Sequence, residues 1–282
     1  MTVLHAIIRR VEGAQALDRY AKPVVDFVGR SVKPRWIRNL LSGTYLGHPM
    51  HPLLTDLPIG AWSMATLLDT IGGPDTERAA DILVVAGIVA AAPTAAAGLN
   101  DWSDTYGPET RVGLIHATAV GTAVAVYAVS VIARATGNRR AGKLLGLAGF
   151  AALTAGGFLG GYLSFVRGVN VNRTAWQEGA AEWTAVLPDS ELPEDESRRV
   201  DADGVPVMLY RHANRLTVLA ATCSHMGGPL DEGAIEGGCV TCPWHGSVFR
   251  LEDGGIVRGP ATSPQPRFDA RVRDGQIEVR AA

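Results

Sequence analysis

Two cysteines and two histidines stand at spacings that bring ligands together. Cys223-Ser224-His225 and Cys242-Pro243-Trp244-His245 form a C-x-H and a C-x-x-H separated by the sixteen residues from Met226 to Thr241. Each half sets one soft thiolate and one imidazole on a single tight loop. Such a donor set suits a pair of irons, one keeping the cysteines and the other taking the histidines. Tetrahedral zinc is the competing use of the same four side chains. The third cysteine, Cys239, precedes Cys242 by three residues and is read as a buried strand residue; with the other two as ligands it has no disulfide partner within the chain, so a disulfide-framed secreted domain is excluded.

The elements that must position these ligands follow from hydrophobic patterning. From Glu182 onward, short β-rich runs at 199–201, 205–210, 216–221, 271–273 and 276–280 alternate with the turn dipeptides Asp203-Gly204 and Asp274-Gly275. That pattern predicts an antiparallel all-β domain. The acidic stretch 189–196 reads as a solvated loop near its start.

Upstream, four apolar stretches at 52–71, 82–99, 112–133 and 144–166 each approach the ~20 residues a helix needs to cross a bilayer. The last three contain no Lys, Arg, Asp or Glu, whereas Asp56 and Asp69 interrupt the first, which is the weakest and could be re-entrant. Their Ala- and Gly-rich composition allows close helix approach in lipid. The expected architecture is therefore multidomain, an N-terminal all-α transmembrane four-helix bundle followed by a C-terminal all-β domain. The predicted boundaries are a basic amphipathic arm over 1–47, the membrane domain over 48–170, a linker over 171–181 and the β domain over 182–282.

Charge is distributed to match. Residues 1–47 hold eight Lys/Arg against three Asp/Glu, and residues 182–282 hold ten against sixteen. No segment is basic enough to imply nucleic acid, while a basic arm fits an anionic lipid surface. The Arg9-Arg10 pair is followed by repeatedly charged residues rather than an apolar signal core, so it is not read as an export signal. Near the span ends seven basic residues (Arg30, Lys33, Arg35, Arg38, Arg111, Arg167 and Arg173) oppose five (Arg78, Arg134, Arg139, Arg140 and Lys143). This balance predicts a multi-pass cell-membrane protein whose β domain lies on the cytoplasmic side.

The C-terminal segment resembles the Rieske domain family through Cys223-Ser224-His225-Met226-Gly227-Gly228, Cys242-Pro243-Trp244-His245-Gly246-Ser247-Val248-Phe249 and Gly259-Pro260-Ala261. The resemblance implies a [2Fe–2S] cluster with Cys223 and Cys242 on one iron, His225 and His245 on the other, and a proline-containing loop over 259–266 covering it. It also implies a serine donor to a cluster sulfur at Ser247. The cytochrome bc members carry an extra cysteine in each ligand loop, joined as a disulfide; Gly228 and Trp244 occupy those positions here. Their tyrosine donor is replaced by Phe249. Losing one sulfur hydrogen bond lowers the potential, to the low end of the ~−150 to +300 mV Rieske range or below it.

A second candidate site lies upstream. His48 and His51 in Gly47-His48-Pro49-Met50-His51-Pro52 precede the first span, and His116 lies early in the third. Ionisable groups within spans are costly and are often functional. One reading is a haem or another metal ion held by some of His48, His51 and His116. The other is that His48 and His51 cap a helix start and His116 bonds Asp56 or Asp101. This half resembles a bacterial family of four-helix membrane domains through 47–52, Asp56-Leu57-Pro58 and Asn100-Asp101-Trp102, which carries no activity with it.

The expected function is a membrane-anchored one-electron carrier working with a redox partner protein, either a reductase or a membrane acceptor. The alternative is the electron-feeding component of a multi-chain oxygenase, since no Asp/Glu-x-x-His-x-x-x-x-His iron motif is present. A redox sensor is a third possibility, for which the sequence offers no signalling domain.

Overall fold

The computed structural model describes residues 3–32 and 34–282. The helices are α1 (Val3–Gly13), α2 (Asp18–Ser31), α3 (Arg35–Ser42), α4 (Met50–Ile71), α5 (Glu77–Trp102), α6 (Gly107–Ala135) and α7 (Arg139–Gly161). The chain separates into two compact units: 1–33 with 50–169, and 34–49 with 170–282.

In the helical unit, α4 packs on α5 and α7, α5 on α6, and α6 on α7, with α1 and α2 lying against α6. Among the described residues three segments are long and apolar enough to cross a membrane: Pro74–Trp102, Gly107–Ala135 and Arg139–Val166. The segment α4, expected as a fourth crossing, does not meet that standard, in keeping with its two carboxylates. Its Asp69 pairs inside the unit with Arg134, whose Nη1 also reaches Asp81 at 2.9 Å. Only 3% of the Arg134 side chain and 5% of that of Asp69 are exposed, so removing either strips a buried charge of its nearest partner and leaves it only the outer pair, Arg134 with Asp81 or Asp69 with Arg139 at 3.6 Å. At the opposite end Arg111 grips Asp18 with two bonds, at 2.7 and 3.1 Å, and ties α2 to α6.

Glycines let these helices approach closely. A side chain at Gly87 would fall within 2.3 Å of the Trp62 indole, and one at Gly149 within 2.9 Å of the Tyr127 ring. The two rings stack at 4.3 Å and 12° in the middle of the core.

The β unit holds two antiparallel sheets. Its strands are β1 (Thr184–Pro188), β2 (Ser197–Ala202), β3 (Val205–His212), β4 (Arg215–Ala220), β5 (Ala234–Glu236), β6 (Cys239–Thr241), β7 (Val248–Arg250), β8 (Ile256–Arg258), β9 (Arg267–Arg273) and β10 (Gln276–Ala281). The order is β1-β10-β9-β4-β3-β2 in the larger sheet and β5-β6-β7-β8 in the smaller. Hairpin turns fall where the sequence places Asp203-Gly204 and Asp274-Gly275, all four residues having positive φ.

Two of the expected boundaries shift. The arm over 1–47 is divided, with α1 and α2 joining the helical unit while residues 34–49 join the β unit. The stretch 171–181 is not a free linker, because Arg173 N–H donates to Ser224 O at 3.0 Å and Ala281 N–H to Ala180 O at 2.7 Å. Sequence patterning missed both because the partners are distant along the chain.

Candidate iron–sulfur centre

The two ligand loops share one backbone conformation. In the first, Cys223 N–H donates to Gly228 O at 2.8 Å and Gly227 N–H to Cys223 O at 2.9 Å; in the second, Cys242 N–H donates to Ser247 O at 2.8 Å and Gly246 N–H to Cys242 O at 3.0 Å. The fifth residue of each loop must turn left-handed, and it is glycine in both, with φ of 81° at Gly227 and 74° at Gly246. Cys223 and Cys242 are buried at 1% and 2% exposure within the apolar cluster of Leu230, Val240 and Phe249.

This folding aims backbone N–H groups at both sulfurs, those of His225 and Met226 at Cys223 and those of Trp244 and His245 at Cys242. Donation from Cys223 and from those N–H groups brings the Cys242 thiol down to about 7, while sharing with Cys242 and burial raise that of Cys223. The N–H groups aimed at each sulfur favour the thiolate form that holds a metal. On the other side the rings of His225 and His245 meet at 5.0 Å and 87°. Burial, then the nearby His245 and the cations Arg38 and Arg173, hold His225 down to about 3, neutral and able to ligate. Adjacent sulfurs under N–H donors, facing two imidazoles, fit a [2Fe–2S] group.

Around the ligands, the 259–266 loop is fastened at several points. Ala261 N–H donates to Ser247 Oγ at 3.0 Å, Ser224 Oγ donates to Ser263 O at 2.7 Å, and Gly259 N–H donates to Asn39 Oδ1 at 3.2 Å. Gln265, which sequence reasoning did not single out, is 2% exposed and clamps the first loop. Its Oε1 accepts from Ser224 N–H at 3.0 Å and its Nε2 donates to Ala220 O at 2.7 Å. Asn39 and Arg38 lie on α3, far upstream of the first ligand in the chain. No local signal marked them.

The departures from the bc pattern acquire a geometry. A Cβ at Gly228 would lie 2.9 Å from Cys242 Sγ and 3.0 Å from the Trp244 ring, so the indole fills the side of the site that a loop disulfide would cross. Phe249 is fully buried, and Cys239 sits on β6 opposite Arg250 but is half-buried rather than buried. The remaining candidates lie elsewhere. His48 belongs to the β unit, is exposed, and bonds Pro49 O through Nδ1 at 2.8 Å. His51 bonds Thr94 O and His116 bonds Gly156 O; neither Asp56 nor Asp101 is the partner of His116.

A two-sheet β fold presenting paired C-x-H and C-x-x-H loops defines the class of iron–sulfur electron carriers with mixed Cys/His ligation. The chain belongs to the Rieske [2Fe–2S] domain family, whose model matches residues 182–269, fused to a domain matching the "Predicted membrane protein (DUF2231)" model over 47–173. It is 34% identical to the anthranilate 1,2-dioxygenase ferredoxin subunit of Burkholderia cepacia, over 35% of this chain and 92% of that one. It is 31% identical to the cytochrome b6-f complex iron-sulfur subunit of Chlorobaculum tepidum, over 35% of this chain and 53% of that one. The solved ferredoxin of carbazole 1,9a-dioxygenase from Nocardioides aromaticivorans IC177 aligns at 24% identity and a TM-score of 0.34, over 36% of this chain and 98% of that one.

Proposed function

We infer that the protein is a membrane-anchored one-electron carrier, accepting an electron at its Rieske centre and passing it to or from a redox partner at the membrane, with the centre on the cytoplasmic side. The observation that carries this reading is the pairing of a complete Cys/His ligand set with three helices long and apolar enough to span. The [2Fe–2S] group supplies single-electron transfer; Cys223 and Cys242 would hold one iron and His225 and His245 the other. His245 is half-buried and Trp244 beside it is 51% exposed, so a partner docking there meets the histidine edge of the site.

Detergent-purified protein tests this directly. A rhombic EPR signal on reduction, present in the wild type and absent from Cys242→Ser, together with resistance of the chain to carbonate extraction from membranes, is the expected result. Zinc without iron, or release of the chain by carbonate, would sink it. A second reading, a ferredoxin component of a multi-chain oxygenase, is favoured by the likeness to the Burkholderia ferredoxin subunit. Co-purification with an oxygenase chain that is reduced through this protein distinguishes the two.

A further inference from the structure

The helical unit repeats itself. His51 faces His116, Trp62 stacks on Tyr127, and Asp69 pairs with Arg134, and each partner on α6 follows its partner on α4 by the same interval along the chain. On the flanking helices Gly87 and Gly98 of α5 recur as Gly149 and Gly160 of α7, again at one shared interval. Hairpins α4–α5 and α6–α7 are two copies of one design, and their first helices meet through equivalent residues, as at an isologous contact.

At the histidine layer both copies do the same thing. Thr94 O accepts from His51 Nδ1 at 2.9 Å, and Gly156 O accepts from His116 Nδ1 at 2.8 Å. Gly156 follows Thr94 by the interval that separates the paired glycines, so the two carbonyls are equivalent as well. A carbonyl can only accept, so each neutral ring keeps its proton on Nδ1 and leaves Nε2 as a bare lone pair. One turn further, Gly98 and Gly160 lie against the rings; a Cβ there would come within 2.7 Å of His51 and 3.1 Å of His116. An Nδ1–H bonded to a backbone carbonyl is the usual support of a metal-ligating histidine.

The ring separation selects the ligand. A metal–imidazole bond of about 2.0 Å and a ring radius of about 1.2 Å put trans rings roughly 6.4 Å apart between centroids and cis rings roughly 4.5 Å apart. The His51 and His116 centroids are 6.3 Å apart, with the planes at 88°. This is the trans spacing, in contrast to the 5.0 Å of His225 and His245. Among the described residues no third His, Cys, Asp or Glu completes a ligand cluster with this pair. Two imidazoles at that spacing, with no third protein ligand, fit a planar group that brings its own four donors.

We propose that His51 and His116 are the two axial ligands of a haem held between the hairpins. An iron so bound has six ligands and no open position, so it carries electrons rather than binding oxygen. A purely structural role accounts for each Nδ1 but gives no use to the two unprotonated Nε2 atoms. The assignment uses no residue of the Rieske centre and excludes His48.

The test is haemin titration of the detergent-purified full chain. Expected are one haem per chain, a low-spin optical spectrum and, from the near-perpendicular imidazole planes, a strongly anisotropic low-spin EPR signal. His51→Gly and His116→Gly should each weaken binding by more than about tenfold or turn the iron high-spin, with added imidazole restoring the low-spin form, while His48→Ala changes nothing. His51→Met and His116→Met keep the bulk and should shift the spectrum even where the glycine variants do not fold. Failure of wild-type protein with an intact cluster signal and full helical content to bind haemin, or an unchanged low-spin spectrum in any His51 or His116 variant, would overturn the assignment.

Discussion

Ala261 N–H donates to Ser247 Oγ at 3.0 Å, across the base of the second ligand loop, and Ser247 is fully buried there. With its acceptor role filled by the covering loop, the hydroxyl retains a proton to give to a cluster sulfur. Ser247→Ala is expected to lower the reduction potential by roughly 60 mV, the equivalent of about 1.4 kcal/mol for one electron. Phe249→Tyr should move it the other way if the added hydroxyl reaches the site. Protein-film voltammetry reads both, and no change in Ser247→Ala would refute the donor role.

Arg38 and Arg173 both act on His225 through their charge. A positive charge near the centre favours the reduced, more negative form. Arg38→Gln and Arg173→Gln should each make the potential roughly 20–60 mV more negative, the effect of one partly screened charge, with the difference shrinking at high salt. A shift to more positive potential in both variants would contradict this.

Gln265→Ala removes a buried clamp that satisfies Ser224 N–H and Ala220 O. Each orphaned group costs about 1–3 kcal/mol, so the β unit should melt earlier and lose iron faster to a chelator. Time courses of iron release with the ligand residues intact provide the measurement; wild-type rates would show that the clamp is dispensable.

Gly228→Val places methyl groups where Cys242 Sγ and the Trp244 ring already are. The second loop cannot close against them, and the expected result is a protein that inserts in membranes but carries no reducible cluster. Full cluster occupancy in this variant would refute the packing argument.

On the surface, His212 Nδ1 and Asp195 Oδ1 lie 2.6 Å apart. The carboxylate raises the imidazole above its ordinary value and the imidazolium lowers the carboxyl below its own. For His212 the contribution to stability is full below about pH 6.5 and fades as pH rises through the raised folded value. For Asp195 it is full above about pH 3.9 and is lost as pH falls through the lowered folded value. NMR titration of labelled histidine should show His212 moving down in Asp195→Asn; an unmoved value would mean the pair does not form.

Much of this chain was readable from local pattern. The C-x-H and C-x-x-H loops declared their chemistry because the atoms that shape each loop are close neighbours in the chain, and the glycines at 227 and 246 are required by the local turn. The apolar runs and Asp-Gly turns likewise reported helices and hairpins through short-range periodicity. What the sequence could not show depends on residues far apart. Gln265 under the first loop, Asn39 against Gly259, and the attachment of residues 34–49 to the β unit follow from contacts between distant parts of the chain, which leave no periodic trace. The pairing of the membrane histidines is hidden from local sequence for the same reason. Spacing put His48 beside His51, but the fold set His51 opposite His116, because two hairpins that differ at most positions pack through the few they share or match.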